Sequence, residues 1–526
     1  MKQLKCSAEK IEKLISETPD GKECNLQGSV YYLERPIEIK NRKNITINGN
    51  GAVLSAHFNN GNSEIETSDH IHIIGCDGVT LKNLVFDTDT PVNIYGKVLE
   101  IDLQNDSYLF KTDCTVTGKE ILMAQNSCDE NGLCDHRLEY YCRHENPDII
   151  TLLAGEILLA ATYIGCKNEY LGNGLFRIYL PEGFAKKLFV GQIICIRHSS
   201  YGPVAILVKN SANTVLRDVK MRSIGGMGVV ILPRSHNFTA ERLVIKNEKK
   251  ELLMSGNCDG IHITGLSGKL VLKDCEFVAL GDDALNIHST AATVTESDLQ
   301  NGTIRCNYCK KSPDGLLSPE WCQEGDIISV LDSKTCARIG TFEVEKFHVD
   351  RIRFKNLTGE LPKGAVLQNM EFNAAVEMQR CKINKMRARG CVFQTENITI
   401  SGCVFSDIPL AAIHSAPDLK KWYEVGAVKN MTIEKNIFDN CCAAYNAEYL
   451  PVIGFSDNHD SLIGCGGIVH RNITIKNNTF NAIRGRCLYL SAIEGAKVEC
   501  NIYNDCVNGE YMTIESINCK NISIVD

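Results

Sequence analysis

The sequence predicts an all-β fold: a right-handed parallel β-helix carrying two small inserted β-barrel or sandwich domains, with an N-terminal helix as its cap. Three observations predict it. A strand motif of about nine residues, mostly led by asparagine, recurs along the chain, its starts 35, 23, 32, 33 and 42 residues apart where no long gap intervenes; a period in that range marks a solenoid. Each copy alternates apolar and polar residues, the periodicity of a strand and not of a helix. Two long stretches lack the motif yet still read as short strands between turn clusters.

Taken in order, residues 1–90 hold the cap and the first coils. Ile11, Leu14 and Ile15 have helical spacing behind Ser7, a capping residue type, and a helix there would close the sheet edges of the first coil. The motif begins at Asn44 (NITING) and returns at Val79 (VTLKNLVFD). Residues 91–198 break it and predict the first inserted barrel. Residues 199–292 resume it with Thr214, Asn237 and Lys269 copies, residues 293–370 form the second insertion, and residues 371–526 carry the Asn397, Asn430 and Asn472 copies. In each copy the inward row of β-branched and other apolar residues fills the core, while the strand bonds to its equivalent one coil away.

Composition narrows the function. The 526 residues are 44% hydrophobic and 23% charged with a net charge of −8, and no Lys/Arg cluster forms a nucleic-acid footprint. No apolar run reaches the length of a membrane span. The 25 cysteines, Cys275, Cys391 and Cys403 among them, lie scattered in strand-like runs and are expected as buried reduced thiols; Cys128 and Cys134 form a close pair, and Cys306 with Cys309 makes a CxxC that lacks the second half of a zinc site. The first residues have no apolar leader core, so the chain as written reads as cytoplasmic, or as secreted or periplasmic if a leader has been trimmed. A homodimer is left open.

The chemistry concentrates in NCDGIHITG (257–265) and LGDDALNIHS (280–289), which place Asp282 23 residues after Asp259 with Asp283 next to it. Adjacent coils are stacked about 4.8 Å apart, so these carboxylates converge. Leu285 and Ile287 belong to the core row, which turns Asp282, Ala284, Asn286 and His288 outward. Asp283 has the inward phase, as does Asp259 with Ile261 and Ile263, so kinks at Gly281 and Gly260 are needed to avoid burying unpaired charge. Clustered Asp residues suit either a hard cation such as calcium or acid and base work on a glycosidic bond.

The pattern of Asn-x-Asp-Gly followed by Gly-Asp-Asp resembles the polygalacturonase-type glycosidases of family 28. It is more similar still to glycoside hydrolase family 110, the exo-acting α-1,3-galactosidases that remove terminal galactose from blood-group-B-like glycans. GMGVVILPRSHNFT (226–239), MRARGCVFQT (386–395) and KWYEVGAVKNMTIEKNIF (421–438) extend that resemblance across roughly residues 200–440. The resemblance implies an inverting hydrolase with Asp259, Asp282 and Asp283 as its catalytic carboxylates. Asp282, already outward by parity, is assigned as general acid, with Asp259 and Asp283 activating water.

Around them, His288 shares the face of Asp282 and is either a satisfied surface histidine or a substrate ligand. Arg234, Arg387 and Arg389 are candidate sugar-hydroxyl donors or partners of carboxylates across coils. Trp422 offers an aromatic face to a galactose ring or packs a loop, and Glu424 beside it is a candidate sugar ligand or auxiliary acid. The implied substrate is a carbohydrate with terminal α-galactose; no cofactor or metal is expected. A polygalacturonase-like enzyme would want an Arg-x-Lys shortly after His288, which is missing. A non-catalytic glycan-binding β-helix is the alternative from another class.

Overall fold

The computed structural model describes residues 7–58, 68–90, 92–112, 168–180, 182–183, 185–196, 202–248, 254–298, 301–308, 319–348, 350–419, 422–443, 450–457, 467–506 and 513–525. Cys128, Cys134, Cys309 and Lys421 lie outside the described residues.

The Asn-led motif folds as two strands of a parallel β-helix coil. In the copy at Asn397 the strand Glu396–Ser401 is followed by Val404–Ser406, and a third strand, Ile413–Ser415, lies in a separate sheet. The first two strand positions stack into a 21-stranded sheet and the third into an 11-stranded sheet, with parallel pairing along both stacks. Register is kept residue on residue, Ile398 over Met431 over Ile473.

The leading asparagine has a backbone reason. Asn44, Asn213, Asn237, Asn397, Asn430 and Asn472 all have φ between 51° and 58°, the left-handed region that asparagine tolerates better than other side-chain-bearing residues. Their amides also form a ladder: Nδ2 of Asn430 donates to Asn397 Oδ1 at 3.0 Å, and that of Asn472 to Asn430 Oδ1 at 3.0 Å. The Phe near the end of the Asn397, Asn430 and Asn472 copies stacks inside the helix, with Phe405, Phe438, Phe480 and then Tyr503 at centroid spacings of 5.1, 4.9 and 5.2 Å. One interior column runs Cys275, Cys381, Cys403, Asn436, Asn478 by register. The small thiols need no partner, whereas each buried asparagine donates both to the next amide oxygen and to a strand carbonyl.

The helix Ser7–Glu17 caps the first coil through Ala8, Ile11 and Ile15. Leu14, expected in that stripe, is 41% exposed; Ala8, one turn before Ile11, completes the buried face instead. Glu12 fixes the helix by a two-point ion pair to Arg35.

Two antiparallel sheets interrupt the coils. The first orders the strands Ile193–Ile196, Ile94–Asp102, Ser107–Thr112, Leu175–Tyr179 and Asn168–Gly172. In the second, Ser289–Asp298 pairs on one side with Thr303–Tyr308 and on the other with Val366–Asn369. The remaining strands Ile327–Leu331, Arg338–His348 and Arg351–Phe354 complete the circuit, so this sheet closes into a barrel around Trp321, Ile328 and Leu367. Its first strand starts two residues after Ile287, the last residue of a solenoid strand, so the barrel grows directly out of the coil that carries the Asp-Asp pair.

Candidate active site

Ile261 pairs with Leu285 and Leu285 with Cys391, so three consecutive coils present Asp259, Asp283 and Arg389 at one equivalent position. The column is tied together at the backbone, where Gly260 N–H donates to Asp283 O at 2.9 Å and Asp283 N–H to Asp259 Oδ1 at 3.1 Å. A Cβ at Gly260 would stand 2.7 Å from Ala284 O, so only glycine lets the coils close beside Asp259. Asp282 sits one residue earlier in its turn and is the most exposed of the three. Oxygens from Asp259, Asp282 and Asp283 all lie within 4.8 Å of one another.

Parity placed most of this turn but not all of it. Ala284, expected outward, packs in the solenoid core. Asp283 does not escape to solvent through a kink: it is 1% exposed and its charge is met by Arg389, Nε to Oδ1 at 3.0 Å and Nη2 to Oδ2 at 3.1 Å. A paired carboxylate can stay inside where an unpaired one cannot. Arg387 anchors the same turn through Nη1 to Gly281 O at 2.9 Å.

Burial governs the electrostatics. It pushes the Asp283 carboxyl up to about 8, with the Arg389 guanidinium pulling against the rise and the charges of Asp282 and Asp259 adding to it. Burial likewise raises Asp259 to about 6, restrained by the hydrogen bond from His262.

Beyond the trio, His288 is not a surface histidine; it is 5% exposed and its Nε2 lies 3.4 Å from Nε2 of His262. Glu424 reaches the same spot, its Oε1 3.9 Å from His288 Nε2 and its Oε2 accepting from Asn286 Nδ2 at 3.2 Å. The strand Glu424–Val425 brings it there by pairing antiparallel with Ser289 and Thr290, the root of the barrel. Burial would raise Glu424, but the charges of His288 and His262, the Asn286 hydrogen bond and Arg389 outweigh it and hold the carboxyl below its ordinary value. Trp422, two residues before, is half-buried, with its backbone N–H on Asp418 Oδ2 at 3.0 Å.

Arg234 takes the second of its two readings, as the partner of a carboxylate. Its guanidinium is bound to Asp326 and to Glu320 O at 2.9 Å, with Phe372 beneath it, so it clamps the barrel to the solenoid. Sequence reasoning missed His262. Its signal was available: it lies three residues after Asp259 on a strand whose neighbour, by register, carries Asn286. Among the described residues two groups have the donors to hold a metal, the Asp trio and the set His262, His288 and Glu424. The first insertion touches the site too, Asn93 Nδ2 donating to Asn257 Oδ1 at 2.7 Å, two residues before Asp259.

No family model matches the chain. Alpha-1,3-galactosidase B of Bacteroides thetaiotaomicron is 26% identical over 475 residues, 87% of this chain and 73% of that one. Alpha-1,3-galactosidase A of Bacteroides fragilis is 24% identical over 469 residues, 86% and 72% of the two chains. This chain is a homologue of the alpha-1,3-galactosidases. Alpha-1,3-galactosidase B of Phocaeicola vulgatus, 23% identical, extends the similarity over 97% of this chain and 88% of its own. Among solved structures, the family 28 exopolygalacturonase of Yersinia enterocolitica is similar at a TM-score of 0.37 and 11% identity, covering 98% of this chain and 74% of that one. The stretches shared with the galactosidases take in the coils, the insertions and the aspartate column described above.

Proposed function

We propose that this chain is an exo-acting, inverting glycoside hydrolase that removes terminal α-1,3-linked galactose from glycans, blood-group-B-like or linear. The reading is carried by three carboxylates whose oxygens lie within 4.8 Å on two successive coils, two of them buried and one open. Three such groups cannot all ionise cheaply, so the cluster retains a proton near neutrality. Asp282, half-buried and the least enclosed of the three, is assigned as the acid that faces the leaving oxygen. Asp259 and Asp283 flank the attacking water; Asp259, raised to about 6, is ionised at neutral pH and accepts its proton more readily than an ordinary carboxylate does, with Asp283 positioning the water beside it. Trp422, His288, Glu424 and Arg387 line the sugar side. The first insertion at Asn257 and the Glu424 strand at the barrel root wall the site, which favours a terminal residue over the middle of a chain.

Inversion comes from the family resemblance and not from the spacing, since the nearest oxygens are closer than the roughly 6.5–9.5 Å usual between acid and base in inverting enzymes. The test is hydrolysis of Galα1-3Gal, an aryl α-galactoside and a digalacturonate, followed by proton NMR of the first sugar released. Galactose released as the β anomer is expected, with no cleavage of the uronate; Asp282→Asn loses at least about 100-fold in kcat. The α anomer would refute inversion, and an unimpaired Asp282→Asn the assignment of the acid.

A further inference from the structure

Two amides beside the site carry polar atoms that nothing pairs. Gln394 is 1% exposed, yet neither its Oε1 nor its Nε2 has a hydrogen-bond partner among the described residues. Asn286, 4% exposed, gives its Nδ2 to Glu424 Oε2 at 3.2 Å, which leaves its Oδ1 buried without a donor. Enclosing an amide that bonds neither protein nor bulk water is costly, so a residue kept in that state calls for an explanation.

Coil register shows what these atoms stand beside. Cys391 and Phe393 fill the core, so Gln394 points to the outside of the 11-stranded sheet, as Asn286 does between Leu285 and Ile287. Leu285 pairs with Cys391 and Ile287 with Phe393, which sets Gln394 next to His288 on the following coil. The chain that carries Glu424 runs over the same spot. A Cβ at Gly426 would collide with the Gln394 carbonyl oxygen and stand 3.0 Å from the Gln394 Cβ, so only glycine lets that chain pass so close. Both amides thus belong to the wall formed by His288 and Glu424.

The unpaired atoms specify what would pair them. Asn286 Oδ1 and the Glu424 carboxylate only accept, while Gln394 offers an acceptor and a donor side by side. A matching ligand brings hydrogens of its own and also accepts one. Two hydroxyls on neighbouring sugar carbons do both. A carboxylate brings no hydrogen and adds a charge beside Glu424; an ammonium cannot accept from Gln394 Nε2. Turning about its side-chain bonds costs the Gln394 amide no hydrogen bond, so it can meet a hydroxyl that enters beside Glu424.

We infer that Gln394, with Asn286, determines specificity: the two amides hold neighbouring hydroxyls of a neutral sugar, and the wall they share with Glu424 rejects a uronate. What happens to the sugar rests on the hydrolase reading above; its recognition does not.

The test reads binding without turnover. The full chain carrying Asp282→Asn is titrated calorimetrically with methyl α-galactoside, its monodeoxy forms and methyl α-galacturonate. The galactoside is expected to bind at least about 100-fold tighter than the uronate, and the forms lacking a recognised hydroxyl to bind about tenfold more weakly than the parent. Adding Gln394→Met, which keeps the length and removes the amide, should weaken the galactoside about tenfold and abolish the discrimination against those deoxy forms. The melting temperature of the ligand-free protein should hold or rise, because a buried unpaired group is gone; a structural glutamine would lower it. Asn286→Leu should weaken the galactoside by a similar factor. Equal affinity for the uronate, unchanged affinity in either variant, or no binding of any of these sugars would overturn the inference, and the uronate comparison needs no variant of either amide to fold. In turnover of Galα1-3Gal, Gln394→Met alone should raise KM about tenfold with kcat within about threefold, and a loss confined to kcat would refute a binding role. If wild type cleaves no galactoside while Asp282→Asn binds one through Gln394, the hydrolase reading falls and the specificity wall survives.

Discussion

Arg389 and Asp283 occupy equivalent positions on neighbouring coils and meet in a two-point ion pair, with Asp283 only 1% exposed. The pair explains how a solenoid can keep a carboxylate in the buried row beside its reaction centre. It also makes the site and the stability of the fold interdependent.

Arg389→Met leaves Asp283 buried without its partner, a change that costs about 3–5 kcal/mol when one half of a buried ion pair is removed. Chemical denaturation should report a loss of that size. The double variant Asp283→Asn/Arg389→Met is expected to recover most of it while remaining inactive. Additive losses in the double variant would mean that the pair is not coupled.

The contribution of Asp259 and Asp283 to stability should fall as pH rises from about 4 to 8. Asp259 and Asp283 have folded-state values raised to about 6 and about 8, above those of the unfolded chain, so the native protein binds more protons in this window. Their contribution is complete below the unfolded value and is lost as pH climbs through the folded ones. Buried His70 and His470, lowered by burial, titrate the other way over the lower part of this window, so the sign is read from the difference between wild type and Asp283→Asn. Thermal unfolding of both proteins across that range makes the comparison: Asp283→Asn should gain stability relative to wild type as pH rises through about 8, and a constant difference would refute the raised carboxyl.

Glu424→Gln keeps the shape of the side chain but removes the charge that faces His288. A fall of about tenfold in kcat/KM, mostly in KM, is expected if Glu424 holds a sugar hydroxyl, about the worth of one hydrogen bond to a charged group. Steady-state kinetics on Galα1-3Gal decides; a loss confined to kcat would make Glu424 an acid or base instead.

Asn478→Ala should cost about 1–3 kcal/mol, because the Asn436 backbone N–H and side chain and the Ile433 carbonyl each lose a partner inside the solenoid. A melting-temperature drop without change in kcat is the expected pattern.

Much of this was legible in the chain alone. The repeat, its period-two alternation and its asparagine corners determined the β-helix, because each coil must satisfy the same backbone and core requirements as the last. Asp259 and the Asp282–Asp283 pair could be placed together from a spacing of one coil. Parity misplaced Ala284, since turns do not keep the alternation of strands. Only the tertiary structure could decide the rest: that Arg389 meets Asp283, that Arg234 is taken by Asp326, and that His262, His288 and Glu424 converge. These contacts join residues at least 26 positions apart through coil register and through a strand borrowed by the barrel, and local periodicity carries no information about such pairings.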